Sequence, residues 1–110
     1  MIRRRGTLSG LERENRIVLG LVQALVGAIS PNVVRVSVEF VGADAHVHVV
    51  LGRDSPEDRE EFEEDLPTEV EALLLGDIND CLIVPVIHLL SALGKGEWPP
   101  GRPVFGARRN

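Results

Sequence analysis

Tyrosine is absent from this 110-residue chain, cysteine and tryptophan each occur once, and aromatic residues make up only 4% of the composition. The single cysteine, Cys81, excludes an internal disulfide bond and any zinc site built from several cysteines. The longest apolar run, residues 17–29, contains Gln23 and is shorter than the roughly 20 residues that cross a bilayer. We therefore expect a cytoplasmic protein without a membrane segment.

Motifs that mark common enzyme sites are also missing. The chain has no phosphate-binding P-loop, no Gly-x-Ser-x-Gly, no Gly-x-Gly-x-x-Gly and no His-Glu-x-x-His. Cys81 and His88 fall on opposite faces of a predicted strand, which separates the one potential nucleophile from that base. The sequence predicts a protein that is not an enzyme and needs no cofactor.

Negative charge, by contrast, is concentrated in residues 54–71. This segment holds ten carboxylates and a single cation, Arg59, in a chain of net charge −5. The rest of the chain is therefore net positive, with arginines near both ends. An acidic chain with few aromatic residues is a poor candidate for nucleic-acid binding, whereas a dense negative face can steer a basic protein partner.

The first predicted helix starts at Ser9, whose spacing to Glu12 is that of a capping box, and ends near Ile29, before Pro31. An apolar stripe at helical period predicts which side faces the core. The predicted core side is Leu11, Val18, Val22, Leu25 and Ile29, and the predicted opposite side is Arg13, Arg16, Gly20, Gln23 and Gly27.

A β-hairpin follows, with two alternating strands joined by a Gly42-Ala43 turn. A two-residue loop predicts the register, because it places all the core residues on one face. The expected pairs are Val41 with Asp44, Phe40 with Ala45, Glu39 with His46, Val38 with Val47, Ser37 with His48 and Val36 with Val49. The polar residues then lie together on the other, solvent-facing side.

The acidic segment is predicted to form a second helix. Ser55 is a suitable N-cap and Pro56 suits the first helical position. The inward side is expected to be Phe62, Leu66, Val70 and Leu73, and the outward side Glu57, Glu60, Glu61, Glu64 and Glu71. Pro67 should kink or divide this helix near its middle.

Residues 81–89 predict a third strand in which Pro85 favours an edge position or a bulge. A loop rich in glycine and proline, residues 91–103, leads to a short fourth strand near Pro103. The expected fold is a single α+β domain over residues 1–110 with element order α-β-β-α-β-β. Its two helices pack on one face of a small, mostly antiparallel sheet, and its ends, 1–8 and 109–110, are frayed.

Two surfaces could carry function. On the sheet, His46 and His48 point the same way and could bind a metal with Glu39 or His88, although a solvent-facing His46 paired to Glu39 is the simpler interpretation. On the second helix, the glutamate row imitates the charge and spacing of nucleic-acid phosphates, so it could occupy the basic cleft of a nuclease. A merely solvated helix face is the simplest interpretation of the glutamates.

Several short matches give the chain a family resemblance. They are residues 28–40 after an amphipathic helix, Thr68-Glu69-Val70 within an acidic helix, and a Val86-Ile87 strand followed by a loop and a basic end. Between about Leu21 and Arg109 the chain resembles small bacterial immunity proteins of contact-dependent growth inhibition and related polymorphic toxin systems. The resemblance implies a non-enzymatic protein that binds and blocks a cognate toxin domain.

The leading hypothesis is therefore an immunity-type inhibitor that binds a toxin domain through Glu57, Glu60, Glu61, Glu64 and Glu71. The toxin could instead dock on the sheet face of Arg35, Ser37, Glu39, His46 and His48. Two other classes stay open. One is a small metal- or ligand-binding protein that uses the histidines. The other is a homodimer formed through the Pro85 edge or the glycine-lined side of the first helix.

Overall fold

The computed structural model describes residues 9–107 of the chain. The predicted frayed ends, 1–8 and 109–110, and the arginines within them, lie outside these residues. The elements are α1 (Gly10–Ala28), β1 (Val33–Val41), β2 (Asp44–Leu51), α2 (Pro56–Glu60), a π-helical turn (Glu61–Asp65), α3 (Leu66–Leu74), β3 (Ile83–Leu89), a 3-10 turn (Leu90–Ala92) and β4 (Arg102–Gly106). Since α2, the π-helical turn and α3 follow one another without a break, residues 56–74 are called the acidic helix.

The four strands form one mixed sheet in the order β3-β2-β1-β4. β1 pairs antiparallel with both β2 and β4, while β3 pairs parallel with β2. Both helices contribute to a single apolar core against one face of this sheet. The predicted α+β class and the mostly antiparallel sheet are confirmed, as is the edge position expected from Pro85.

The hairpin of β1 and β2 has the predicted register at every pair from Val41 and Asp44 to Val36 and Val49. Gly42 has a φ of 62°, the left-handed conformation that the tight turn requires. Beyond the predicted pairs the register shifts between Val33 and Arg35. This irregularity brings Val33 into the core cluster.

Helix α1 begins with the predicted capping box. The Ser9 hydroxyl accepts a hydrogen bond from the Glu12 backbone N–H at 3.1 Å, and the Glu12 carboxylate accepts one from the Ser9 N–H. The predicted core side is wrong in part, because Leu11 and Val22 are exposed and Gly20 is buried. The side that faces the core is Ile17, Val18, Gly20, Leu21, Ala24, Leu25 and Ala28.

Gly20 is buried because α3 crosses α1 at that position. A Cβ placed on Gly20 would lie 3.2 Å from Leu74 Cδ2, so the absent side chain sets how closely the helices approach. Arg16 secures the same contact by donating to the Leu73 carbonyl at 2.7 Å and to the Asp77 carboxylate at 2.8 Å. The glycine-lined side considered for a homodimer is therefore covered at Gly20 by the protein's own second helix.

The acidic helix continues through Pro67, which lies in the first turn of α3, and its irregularity is the π-helical turn just before that residue. Pro67 has no N–H to donate, and the Leu66 N–H reaches five residues back to the Glu61 carbonyl. The Thr68 hydroxyl donates to the Glu64 carbonyl at 3.0 Å. Phe62, Leu66 and Val70 point inward as expected, but the last inward residue is Leu74 and not Leu73, which is partly exposed.

Candidate functional site

The glutamates predicted to face outward form the acidic row: Glu57, Glu60, Glu61, Glu64 and Glu71. Four of the five are exposed and Glu61 is half-buried. Within residues 9–107, no arginine, lysine or histidine lies within 4.0 Å of a carboxylate of the row. The one cation of the segment, Arg59, is paired with Asp54 at 2.5 Å. Among the described residues the acidic row is therefore a surface of negative charge without a cationic partner.

Crowding of like charges is most pronounced at Glu61. Burial raises the pKa of the Glu61 carboxyl, and the neighbouring Asp65, through a hydrogen bond and its charge, raises it further, followed by the charges of Glu69 and Glu60. Each of these effects disfavours the charged form of Glu61. The fold thus keeps these carboxylates close together although their like charges repel one another.

Asp58 belongs to the same segment but has a different role. Its side chain is buried and accepts hydrogen bonds from Ser30 Oγ and Asn32 Nδ2, both at 2.9 Å. Its backbone N–H donates to Ser55 Oγ, the N-cap of α2. Asp58 therefore fixes the start of the acidic helix to the loop between α1 and β1. This contact also fixes the position of the exposed glutamates on the same helix.

The sheet face opposite the core contains a chain of three polar side chains. His48 Nε2 lies 2.9 Å from Glu39 Oε1, and His48 Nδ1 lies 2.9 Å from His88 Nε2. Burial, and then the neighbouring charge of His48, lowers the pKa of His88. The Glu39 carboxylate thus pairs with His48, its diagonal neighbour across the hairpin. The expected side-chain pair of Glu39 with His46 is wrong, although the two residues lie opposite each other in the predicted register.

The metal hypothesis grouped His46 and His48 with Glu39 or His88. The structure brings together His48, Glu39 and His88 and leaves His46 outside the chain of hydrogen bonds. Both ring nitrogens of His48 are engaged with these neighbours. Among residues 9–107 there is no group of three or more histidine, cysteine, aspartate or glutamate side chains that could hold a metal ion.

The expectation of a solvent-facing sheet surface is wrong in part, because the segment before β4 covers some of it. Ser37 is 1% exposed and donates a hydrogen bond to the Pro100 carbonyl at 2.9 Å, and His48 is 7% exposed. The Arg35 guanidinium lies 5.2 Å from the centroid of the Trp98 ring, within the range of a cation–π interaction. Of the polar residues on this face, Arg35, Glu39 and His46 remain partly accessible.

One apolar feature was missed by sequence reasoning. Leu75 and Leu82 are 73% and 61% exposed and border a cleft at the end of α3. Leu75 follows the end of α3, and Leu82, which the predicted strand 81–89 included, lies just before the start of β3, so neither belongs to an observed helix or strand. The available signal was the presence of two leucines in a connecting segment otherwise rich in polar and small residues.

These features define a small α+β protein with a helix face whose carboxylates have no cationic partner within residues 9–107. None of the helices in this part of the chain combines the length and the hydrophobicity that a membrane span needs. The sequence profile of the MafI2 immunity protein family matches residues 14–84. The match covers more than half of the chain, from α1 through the acidic helix into β3, and the protein belongs to this family. No curated protein sequence matches the chain.

Proposed function

We propose that the protein is a non-enzymatic immunity protein that neutralises a cognate toxin domain by binding it through the acidic row. Two findings support this proposal. The chain belongs to the MafI2 immunity protein family, and the whole acidic helix lies inside the matched residues 14–84. The observation that carries the choice of surface is the row of carboxylates without a cationic partner among the described residues.

The physical role of the row is to attract and orient a basic surface. Complementary charge raises association rates by orders of magnitude at low salt, and this effect decreases as ionic strength rises. A nuclease is the toxin class that best suits this chemistry, since its substrate cleft is basic and the carboxylates can occupy it in place of phosphates. Inhibition then follows from exclusion of the substrate.

The acidic helix presents this charge in a defined geometry. Ser55 caps its start, Asp58 ties it to the loop before β1, and Arg16 donates to the Leu73 carbonyl near its end. A surface that is ordered before binding loses less conformational entropy when the complex forms. The fold therefore supports tight binding as well as attraction.

Charge reversal on the row tests the proposal. E60K and E64K, singly and combined, should slow association with the cognate toxin domain, by about tenfold for the double variant at low salt, and should flatten the salt dependence of the rate. E97K is the matched control, because it reverses an exposed glutamate outside the acidic helix. Stopped-flow fluorescence at several ionic strengths provides the measurement.

Growth of cells that produce the toxin domain provides the functional test. Wild-type protein should restore growth, and the double variant should require higher expression for the same protection. Wild-type protein that neither binds the toxin domain nor restores growth would overturn the immunity function. Binding with unchanged kinetics for the double variant would overturn the assignment of the acidic row and leave the immunity function standing.

A further inference from the structure

A cleft of about 420 Å³ lies at the C-terminal end of α3. Leu74, Ile78 and Cys81 contribute to it and are each no more than 8% exposed, while Leu75 and Leu82 line it and remain largely accessible. A volume of this size falls within the range of about 300 to 1,000 Å³ that is typical of ligand pockets. The cleft therefore has room for large apolar side chains.

Hydrogen bonds fix the segment that forms the cleft. The Ile78 N–H donates to the Leu74 carbonyl at 2.9 Å, which turns the chain sharply after α3. Both backbone polar groups of Leu82 are hydrogen-bonded. Its N–H donates to the Asp44 carboxylate at 3.1 Å, and its carbonyl accepts from the Ala45 N–H at 2.9 Å. Leu82 is therefore held by its own backbone hydrogen bonds, and Leu75 directly follows Leu74, whose carbonyl accepts from the Ile78 N–H.

The cleft adjoins the acidic row. Glu71 and Thr68 both line it, and the Thr68 hydroxyl donates to the backbone carbonyl of Glu64, one turn earlier. An apolar depression thus lies beside carboxylates that have no cationic partner in the described part of the chain. The complementary surface on a partner is an apolar side chain flanked by lysine or arginine.

We propose that this cleft receives an apolar anchor side chain of the cognate toxin domain, while the adjacent carboxylates pair with basic residues on either side of that anchor. The inference rests on the proposed function and adds a second part to the binding surface. Residues buried in a well-packed pocket dominate binding energy, and surrounding charges act mainly on the rate of encounter. The cleft governs dissociation, and the row governs association.

Removal of the apolar rim tests this division. The double variant L75S/L82S should dissociate from the toxin domain at least about tenfold faster, with an association rate within about twofold of wild type. V26S is the matched control, since Val26 is an 84% exposed apolar residue of α1 that lies outside the cleft. Surface plasmon resonance on the full chain gives both rates, and circular dichroism confirms that each variant is folded.

A second variant tests the cleft by filling it. Ala72 is exposed and lines the cleft, so A72W should occupy the space with little strain on the core and should also accelerate dissociation. Unchanged dissociation for both L75S/L82S and A72W, with tight binding of the wild type, would overturn the cleft and leave the immunity function intact. Absence of any wild-type complex would overturn both.

The oligomeric state of the free protein distinguishes a cleft that binds the toxin from a cleft that binds a second copy of the chain. We expect a monomer by light scattering for the wild type and for L75S/L82S. A wild-type dimer that L75S/L82S converts to monomer would show that the cleft binds a second copy of the chain, and would overturn the assignment to the toxin.

Discussion

His48 and His88 share a 2.9 Å hydrogen bond between Nδ1 of the first and Nε2 of the second, which links the neighbouring parallel strands β2 and β3. Two imidazoles at this distance accommodate one bridging proton, and full protonation of both rings would set two donors against each other. The contact therefore depends on pH.

We predict that this dependence lowers stability in mild acid. Burial holds the pKa of folded His88 below its ordinary value of 6.5, so the unfolded chain takes up a proton first as pH falls. Stability is fully present above about pH 6.5 and declines as pH drops below that value. Melting temperatures at a series of pH values between 8 and 5 should show the decline, and H88Q should flatten it. Equal slopes for wild type and H88Q would contradict the prediction.

Replacement of Glu61 should stabilise the protein at neutral pH. The pKa of folded Glu61 is raised, so its contribution to stability is greatest in acid and is lost as pH rises through the raised pKa. E61Q removes the charge that Asp65 opposes, and a gain of about 0.5 kcal/mol at pH 7 is expected from like-charge pairs on a helix. Urea unfolding measures the gain.

Glu57 provides the matched control for E61Q. Glu57 lies in the first turn of α2, where negative charge favours the helix dipole, and its carboxylate accepts a hydrogen bond from Ser55 Oγ. E57Q should therefore be neutral or slightly destabilising. Equal stabilisation by E57Q and E61Q would show that total charge, and not local crowding, limits the stability of the helix.

Glycine substitutions in α1 should have opposite effects at two positions. G20V forces a branched side chain against Leu74 and should cost about 1 to 3 kcal/mol. G27A meets no atom within 4 Å and should gain roughly 0.5 kcal/mol from helix propensity. Thermal and urea unfolding of both variants provide the check. A stable G20V would indicate that α1 and α3 can separate without loss of packing.

Removal of the Asp58 carboxylate should destabilise the protein much more than removal of a carboxylate of the acidic row. D58A leaves Ser30 and Asn32 without their buried acceptor and should cost about 2 kcal/mol. E60A removes an exposed carboxylate that has no cationic partner within residues 9–107, and should change stability by no more than about 0.5 kcal/mol. Unfolding free energies of the two variants test the contrast, and similar values would contradict a structural role for Asp58.

The hairpin was predictable because two independent constraints agree. The alternation of β1 and β2 and the two-residue turn at Gly42 specify the same register, and a shift by one residue would move every core side chain to the wrong face. The acidic helix was equally predictable, because Ser55 and Pro56 mark its start and the spacing of Phe62, Leu66 and Val70 marks its inward side. Local signals of this kind need no knowledge of the rest of the fold.

Features that depend on tertiary contacts could not be predicted from such local signals. Helix α1 has apolar residues on most of its circumference, with Leu19, Val22 and Val26 exposed, so periodicity could not identify the core side. At the end of the acidic helix, Leu74 packs at Gly20 of α1 and is buried while Leu73 stays partly exposed, a choice that depends on where the two helices cross.

The contacts and burial of the polar residues on the sheet face opposite the core could likewise not be predicted from local sequence patterns. The contact of His88 with His48 follows from the parallel placement of β3 beside β2, which strand periodicity does not specify. Burial of Ser37 follows from the position of Pro100, more than 60 residues later in the chain. Which of these polar residues stay accessible is therefore decided by the loop and not by the strands.

Both edge strands of the sheet contain a proline, Pro85 in β3 and Pro103 in β4. Proline offers no N–H to an added strand, and natural proteins use it to discourage pairing at open edges. The two prolines therefore leave each open edge with a position that cannot donate to an added strand, which reduces the risk of edge-to-edge aggregation.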